Sequence, residues 1–270
     1  MMSRIFKYLT IALTAVVATC CSYDNEKASP ISESAFRSLF PECKTVEWSN
    51  EPGYEIARFQ QGGAYSEAWF DHEGWIMTAK SESIENLPTP ALELLETEYG
   101  LWETIRVTQL DRKGCASVTV VTVERNKVTY DLYFSDNGIL VRKSDETNAK
   151  QGMKKYLPAT PGKAITGTVK EMYPDAVIYN FTENDGVYTI CLATDSNIKT
   201  VLLSDSGEWL LTISGIGTND IDPVIKKAVE TQLPGGKITL CNLTETPSNS
   251  FYTIECDNGG TTHTLFFDKK

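Results

Sequence analysis

The chain repeats itself, and the repeat limits what it can fold into. At an offset of 133 residues Phe40-Pro41 returns as Tyr173-Pro174, Val46 and Trp48 as Tyr179 and Phe181, and Gly74 as Gly207. Pro90-Ala91-Leu92 returns as Pro223-Val224-Ile225 and Tyr133-Phe134 as Phe266-Phe267 at the same offset. A weaker offset of 64 lies inside each copy, carrying Trp69-Phe70 to Tyr133-Phe134, Gly74 to Gly138 and Tyr188-Thr189-Ile190 to Tyr252-Thr253-Ile254. A duplication within a duplication gives four related modules, each too small to bury its apolar surface without a neighbour. Near the helix ends the inner offset shrinks to 59 or 60, from Phe40 to Tyr99 and from Tyr173 to Leu233. The even modules therefore carry a longer first hairpin loop, at 111–117 and 244–250.

Apolar residues at three- and four-residue spacing predict one helix per module. They are Ala35, Phe36, Leu39 and Phe40; Leu92, Leu95 and Tyr99; Ile165, Val169 and Met172; and Ile225, Ala228 and Val229. Pro41, Gly100, Pro174 and Pro234-Gly235 end them. Strands of period two follow, joined by DHEG at 71–74, SDNG at 135–138 and SDSG at 204–207, where Gly supplies the positive φ of a tight turn. Each module thus reads as a helix followed by an antiparallel meander, and the fold class is α+β. The last module reaches Lys270 one residue before the position of its turn Gly, so its final strand is expected to be missing.

The third strand of each module separates the two sheet faces. Ala68 and Phe70, Leu132 and Phe134, Val201 and Leu203, and Leu265 and Phe267 share one parity and are apolar throughout, which marks the helix-facing side. Trp48 falls on that side, while Trp75 has no clear parity. The other parity alternates polar with large apolar residues: Glu67 and Trp69, Asp131 and Tyr133, Thr200 and Leu202, Thr264 and Phe266. Large apolar residues on a face that should be polar have two explanations. Either modules or domains pack through it, or it holds a partner. For the second, the candidate contact residues are Tyr65, Glu67, Trp69, Tyr133 and Phe266, stiff aromatics beside acids that suit an interface with a basic protein or peptide, or a platform for sugar rings.

The N-terminus is a targeting segment. Arg4 and Lys7 precede the twelve-residue apolar run Tyr8–Thr19, which fits an export signal and is too short to span a bilayer. It ends at Cys20-Cys21. The small-residue stretch Val17-Ala18-Thr19 before Cys20 resembles the lipobox of bacterial lipoproteins, which implies cleavage after residue 19 and lipidation of Cys20. Thr19 departs from the usual Gly, Ala or Ser and leaves Cys21 as the alternative; an ordinary soluble export signal is the other reading. Residues 20–31 then read as a polar tether.

With 36 Asp+Glu against 25 Lys+Arg the chain carries a formal charge of −11, and losing the leader would remove two positive charges and no negative one. Phosphate recognition needs clustered cations, so nucleic acid is excluded as a partner. The two histidines, His72 and His263, cannot support multi-His metal or catalytic chemistry. No HExxH, GxSxG, Walker or strand-linked GxGxxG motif occurs. The acidic turns lack the spacing of a calcium loop, and pairs such as Glu67 and Asp71 carry little weight in so acidic a chain. No catalytic residue, metal or cofactor is expected. Beyond Cys20 and Cys21, five cysteines are scattered at 43, 115, 191, 241 and 256; their positions leave open whether they pair or stay as buried thiols.

A helix ending in Phe-Pro, VEW at 46–48, GYEIARF at 53–59, EAWFDHEGWIMT at 67–78 and LPTPALELLETEYG at 87–100 resemble the PepSY-like, beta-lactamase-inhibitor-like domain of bacterial lipoproteins. Residues 161–270 resemble it more loosely, through MYPDA at 172–176 and DSGEWLL at 205–211, and lack the aromatic EAWFD strand. The resemblance implies two tandem domains at 32–143 and 161–270, each of two helix-plus-sheet modules, joined by a polar linker at 144–160. It also implies a non-enzymatic protein, lipid-anchored at the outer membrane of a diderm bacterium, facing the periplasm or the surface. Binding a protein or peptide, as a peptidase or hydrolase inhibitor or a sensor module, is the expected work; glycan binding is the alternative. No inhibitory loop motif matches residue by residue, and fold analogy alone does not assign a beta-lactamase target.

Overall fold

The computed structural model describes residues 27–149, 152–194 and 197–269. The leader and the two candidate lipidation sites, Cys20 and Cys21, lie outside the described residues. In the first half, helix α1 (Pro30–Leu39) precedes strands β1 (Val46–Glu51), β2 (Tyr54–Gln61), β3 (Ala64–Asp71) and β4 (Gly74–Ser81). Helix α2 (Thr89–Tyr99) precedes β5 (Glu103–Arg112), β6 (Val118–Arg125), β7 (Val128–Ser135) and β8 (Leu140–Asp145). All eight strands form one antiparallel sheet in chain order, the two modules meeting where β4 pairs with β5.

The second half repeats the plan. Helix α3 (Lys163–Met172) precedes β9 (Val177–Asn184), β10 (Val187–Ala193), β11 (Ile198–Ser204) and β12 (Trp209–Gly215). Helix α4 (Pro223–Gln232) precedes β13 (Lys237–Glu245), β14 (Ser250–Asn258) and β15 (Thr261–Asp268). These strands make a seven-stranded sheet running from β9 to β15 in order. Among the described residues β15 has no neighbour on its outer side. The protein is α+β, with two tandem sheet units each built from two modules.

Each helix covers one face of its module with the residues that periodicity assigns to it. Phe36 of α1 meets Phe59, Phe70 and the edge of Trp48; Ala91, Leu95 and Tyr99 of α2 meet Leu132 and Phe134; Ile165 and Val169 of α3 meet Val201 and Leu203; Val229 of α4 meets Ile254 and Cys256. The turn glycines explain how closely helix and sheet approach. Gly138 has φ +78°, and a Cβ there would stand 3.0 Å from the Ala91 nitrogen and from the Pro88 Cβ at the start of α2. Gly207, with φ +87°, would place one 3.1 Å from the Ala164 carbonyl of α3. Both the left-handed backbone and the lack of space select Gly.

A fifth core lies on the opposite face of the first sheet, and there packing is the explanation that holds for the outer aromatics. Trp69 is 2% exposed and Tyr133 3% exposed, so neither forms an open platform. They pack with Ile56, Met77, Leu110, Val120 and Val141 beneath Tyr156, Met153 and Leu157. Within the stretch that joins the two sheets, the 3-10 turn Met153–Tyr156 lies across the first sheet as a lid, and Tyr179 and Ile198 of the second sheet close the rest. The physical reason is area, since burying an aromatic ring of this size is worth roughly 1.5–3 kcal/mol and an uncovered Trp-Tyr patch would forgo it.

Polar contacts join the two sheets at the same place. The buried Arg112 guanidinium donates to the Asn180 side-chain oxygen and to the Tyr179 carbonyl. The Ala116 N–H donates to the Ile178 carbonyl at 2.7 Å, the Ala159 N–H to the Phe181 carbonyl at 3.0 Å, and the Cys191 thiol to the Val141 carbonyl at 3.0 Å. Two of these bonds cap the outer edge of β9.

Candidate functional site

What the lid leaves uncovered is the corner formed by β1, β2 and β3. Antiparallel register sets Arg58 opposite Glu67 and Gln60 opposite Tyr65, so these side chains share the outer face with Trp69. Arg58 Nε donates to Glu67 Oε1 at 2.9 Å, and its other arm donates to Ser49 Oγ on β1 at 2.6 Å. The Tyr65 hydroxyl donates to the same Glu67 oxygen at 2.9 Å. One carboxylate thus fixes a guanidinium from β2 and a phenol from β3, and the guanidinium in turn reaches β1.

Tyr65 remains 47% exposed. Partial burial and the Glu67 carboxylate push its phenol up to about 12, so it stays a neutral hydroxyl in any physiological setting. Arg58 separates two hollows. One, of about 570 Å³, is lined by Glu42, Cys43, Lys44, Glu47, Gln60 and Tyr65 among others. The other, of about 670 Å³, lies between Glu51, Glu67 and the lid residues Met153, Lys154 and Lys155, with Trp69 in its wall. The indole N–H of Trp69 is buried without a hydrogen-bond partner among the described residues. Carboxylates and cations line this trough in similar number, so the corner itself does not select for a basic partner.

The structure thus gathers some of the candidate residues and scatters others. Tyr65, Glu67 and Trp69 are neighbours on one strand, with Trp69 serving as floor. Tyr133 joins Trp69 in the covered core and reaches no solvent. Phe266 is 65% exposed, but it lies on β15 of the other sheet. Arg58, the hub of the open corner, and Asp131, Lys155 and Tyr156, which hold the lid, were not singled out by sequence. The signal for Arg58 was its cross-strand position opposite Glu67; for the lid it was three large apolar residues, Met153, Tyr156 and Leu157, inside an otherwise polar stretch.

The acidic turn DHEG is a closed hairpin, because Asp71 Oδ1 accepts the backbone N–H groups of Glu73 at 2.8 Å and Gly74 at 3.1 Å. His72 sits exposed at its tip.

Comparison with known proteins places the chain. The model of the family described as "Putative beta-lactamase-inhibitor-like, PepSY-like" matches residues 53–142 and 188–270. Among solved structures, a BLIP-like protein from Bacteroides fragilis is 32% identical, covering 47% of this chain and 92% of its own, with a TM-score of 0.44. A DUF2874 family protein from Bacteroides uniformis is 22% identical over 48% of this chain and 100% of its own, with a TM-score of 0.44. A DUF2874 family protein from Bacteroides ovatus is 23% identical over 46% and 91%, with a TM-score of 0.42. No curated protein matches. Matched in both halves over most of its length, the chain belongs to the PepSY-like, beta-lactamase-inhibitor-like family.

Proposed function

We propose that this chain is a non-catalytic, exported binding protein, tethered to the outer membrane through a lipidated Cys20, or Cys21, and that its partner is a protein or peptide held at the open corner around Tyr65. Three observations support the reading. The family is inhibitor-like. The first nineteen residues have the composition of an export signal, and no helix among the described residues is long and apolar enough to cross a membrane. The observation that carries it is the half-exposed Tyr65, locked by Glu67 and Arg58 beside a trough: a rigid amphipathic ring costs little entropy to use and is the commonest kind of interface anchor.

The glycan alternative drew its support from a Trp-Tyr platform, and Trp69 and Tyr133 lie under the lid. One aromatic with a hydrogen-bonded ion pair favours a protein surface over a stacked sugar. The test is affinity capture from envelope extract with the full chain and with a Tyr65→Ala/Arg58→Ala double variant, compared quantitatively. Loss of specific proteins from the variant supports the corner; an identical set overturns it. Loss of palmitate-analogue labelling on Cys20→Ala tests the anchor, and retained labelling moves it to Cys21.

A further inference from the structure

We propose that the seam between the two modules of the first sheet, on its helix side, is a binding site for a neutral saccharide. It lies on the opposite face from the corner around Tyr65 and from the covered Trp69 and Tyr133, and it stands independently of the partner proposed there.

The α1 core ends at Trp75 and the α2 core at Val107. Between them β4 and β5 present polar side chains to the helix side. Register sets Thr78 opposite Ala68 of the α1 core and Lys80 opposite Ser66, and on the other flank Thr78 opposite Asp111 and Lys80 opposite Gln109. Residues directly opposite in antiparallel strands share a face, so these four form one floor. Above it is a cleft of about 730 Å³, walled by Leu39 and Phe40 at the end of α1, by Trp75, by Gln61 of the β2–β3 turn and by Asn86.

The second copy shows the same seam filled by its own side chains. Both copies keep a Trp-Thr bond: Trp75 Nε1 donates to Thr78 Oγ1 at 2.9 Å, and Trp209 Nε1 to Thr212 Oγ1 at 3.0 Å. In the second copy the Tyr173 hydroxyl joins Thr212 Oγ1 at 3.1 Å, and Lys199 donates to Ser214 at 2.8 Å while lying 6.0 Å from the centroid of the Tyr173 ring. Thr212 and Ser214 are buried as a result. The repeat replaces Tyr173 by Phe40, which has no hydroxyl, and returns the cross-strand pair Lys199↔Ser214 as Ser66↔Lys80. Lys80 lies 3.6 Å from Glu82, and the Ser66 hydroxyl is buried without a partner among the described residues. The first seam is left open and polar.

The ligand's chemistry follows from the groups left uncommitted. Gln109 and Asp111 are half-buried, yet neither they nor Gln61 make a side-chain hydrogen bond or ion pair among the described residues. Two amides that both donate and accept, beside a carboxylate that only accepts, match hydroxyl groups, which do both. Phe40 and Trp75 add apolar ring surface for the C–H face of a pyranose, and the Thr78 bond fixes the indole. Small-ligand sites span roughly 300–1,000 Å³, which this cleft fits. Asp111 and Glu82 outnumber Lys80, so an acidic sugar is disfavoured. The polar floor suits a polyol better than an apolar peptide side chain.

The experiment follows the indole N–H signal of Trp75 in the full chain, assigned with Trp75→Phe, during NMR titrations with maltotriose, triacetylchitotriose, trigalacturonic acid and trileucine. Saturable movement of the signal with at least one of the two neutral sugars is expected, with the acidic sugar binding more weakly. Asp111→Ala should weaken the neutral sugar about tenfold, the worth of one hydrogen bond to a charged group, and Gln109→Ala should weaken it less. Asp111→Asn keeps the side-chain shape and should fall between wild type and Asp111→Ala; it is the variant to read if Asp111→Ala does not fold. The proposal is overturned if neither neutral sugar moves the signal saturably, whether or not trileucine does, if the acidic sugar binds as tightly as the neutral ones, or if the floor variants bind like wild type.

Discussion

Lys155 Nζ lies 2.6 Å from Asp131 Oδ2, and this ion pair holds the segment between the two sheets down on the first. Asp131 is fully buried, yet every one of its interactions is accounted for: Thr122 donates to Oδ1 at 2.7 Å, and the Tyr156 hydroxyl donates to Oδ2 at 2.9 Å while accepting from Arg106 at 2.9 Å. Lys155 also reaches Glu146 at 3.1 Å. Burial and the Asp131 carboxylate raise the pKa of the Tyr156 phenol, so it remains a donor.

Removing the Asp131 carboxylate leaves the buried hydroxyls of Thr122 and Tyr156 without their acceptor, while Lys155 keeps Glu146, which together costs about 2–4 kcal/mol. Asp131→Ala is therefore expected to destabilise by that much in chemical denaturation, and Tyr156→Phe, which deletes one hydroxyl, by about 1–3 kcal/mol. Both should hasten proteolysis after Lys154 and Lys155. Unchanged cleavage there in Asp131→Ala would mean the lid is held by apolar contact alone.

At Gly138 an added methyl meets both strain at positive φ and the start of α2. Gly138→Ala is expected to cost about 1–3 kcal/mol in thermal or denaturant unfolding. Gly53, equally positive in φ but with nothing within 4 Å of an added Cβ, should cost less when changed to Ala.

Stability should also fall in acid at one identifiable place. Glu55 accepts from the Ser29 N–H at 3.0 Å and the Ser29 hydroxyl at 2.8 Å, at the N-cap of α1. Burial raises its pKa, but hydrogen bonds from Ser32 and Ser29 outweigh this and hold the carboxyl below its ordinary 4.5. A depressed carboxylate stabilises the fold fully above its unfolded pKa and loses that contribution as pH falls through the folded value. Glu55→Gln should therefore flatten the decline in melting temperature below about pH 4.5 and lower stability near neutrality. Parallel wild-type and variant curves would contradict this.

Five cysteines, at 43, 115, 191, 241 and 256, carry free thiols. Burial pushes Cys191 up to about 11 and raises Cys115, Cys241 and Cys256. Cys43 lines the open trough instead. Mass spectrometry after brief alkylation of the folded chain should find Cys43 modified first, the buried Cys191, Cys241 and Cys256 following only on unfolding.

Parity and period make most of the fold readable in the sequence. Trp48 falls on the helix side, its ring 5.6 Å from Phe70, because alternation runs unbroken along β1. Trp75 escaped that rule for a local reason: the β3–β4 register shifts between Trp69 and Phe70, and counting by twos fails across a bulge. Trp75 lies on the helix side, its indole bonded to Thr78 at 2.9 Å. The outer aromatics posed a different question. Alternation gave their face correctly but is silent on what covers it, and the cover comes from Tyr156, flanked by lysines that make its segment read as polar. For the same reason Tyr65, at the end of β3 beyond the lid, stays open while Trp69 does not.

The central claim is that this open corner meets a partner in the cell, and site-specific photo-crosslinking tests it most directly. A photoreactive residue at Tyr65 should yield a discrete crosslinked protein in living cells, and one at Leu101, 78% exposed on the first sheet unit, should not. Equal products from both positions, or none from Tyr65, would contradict the account.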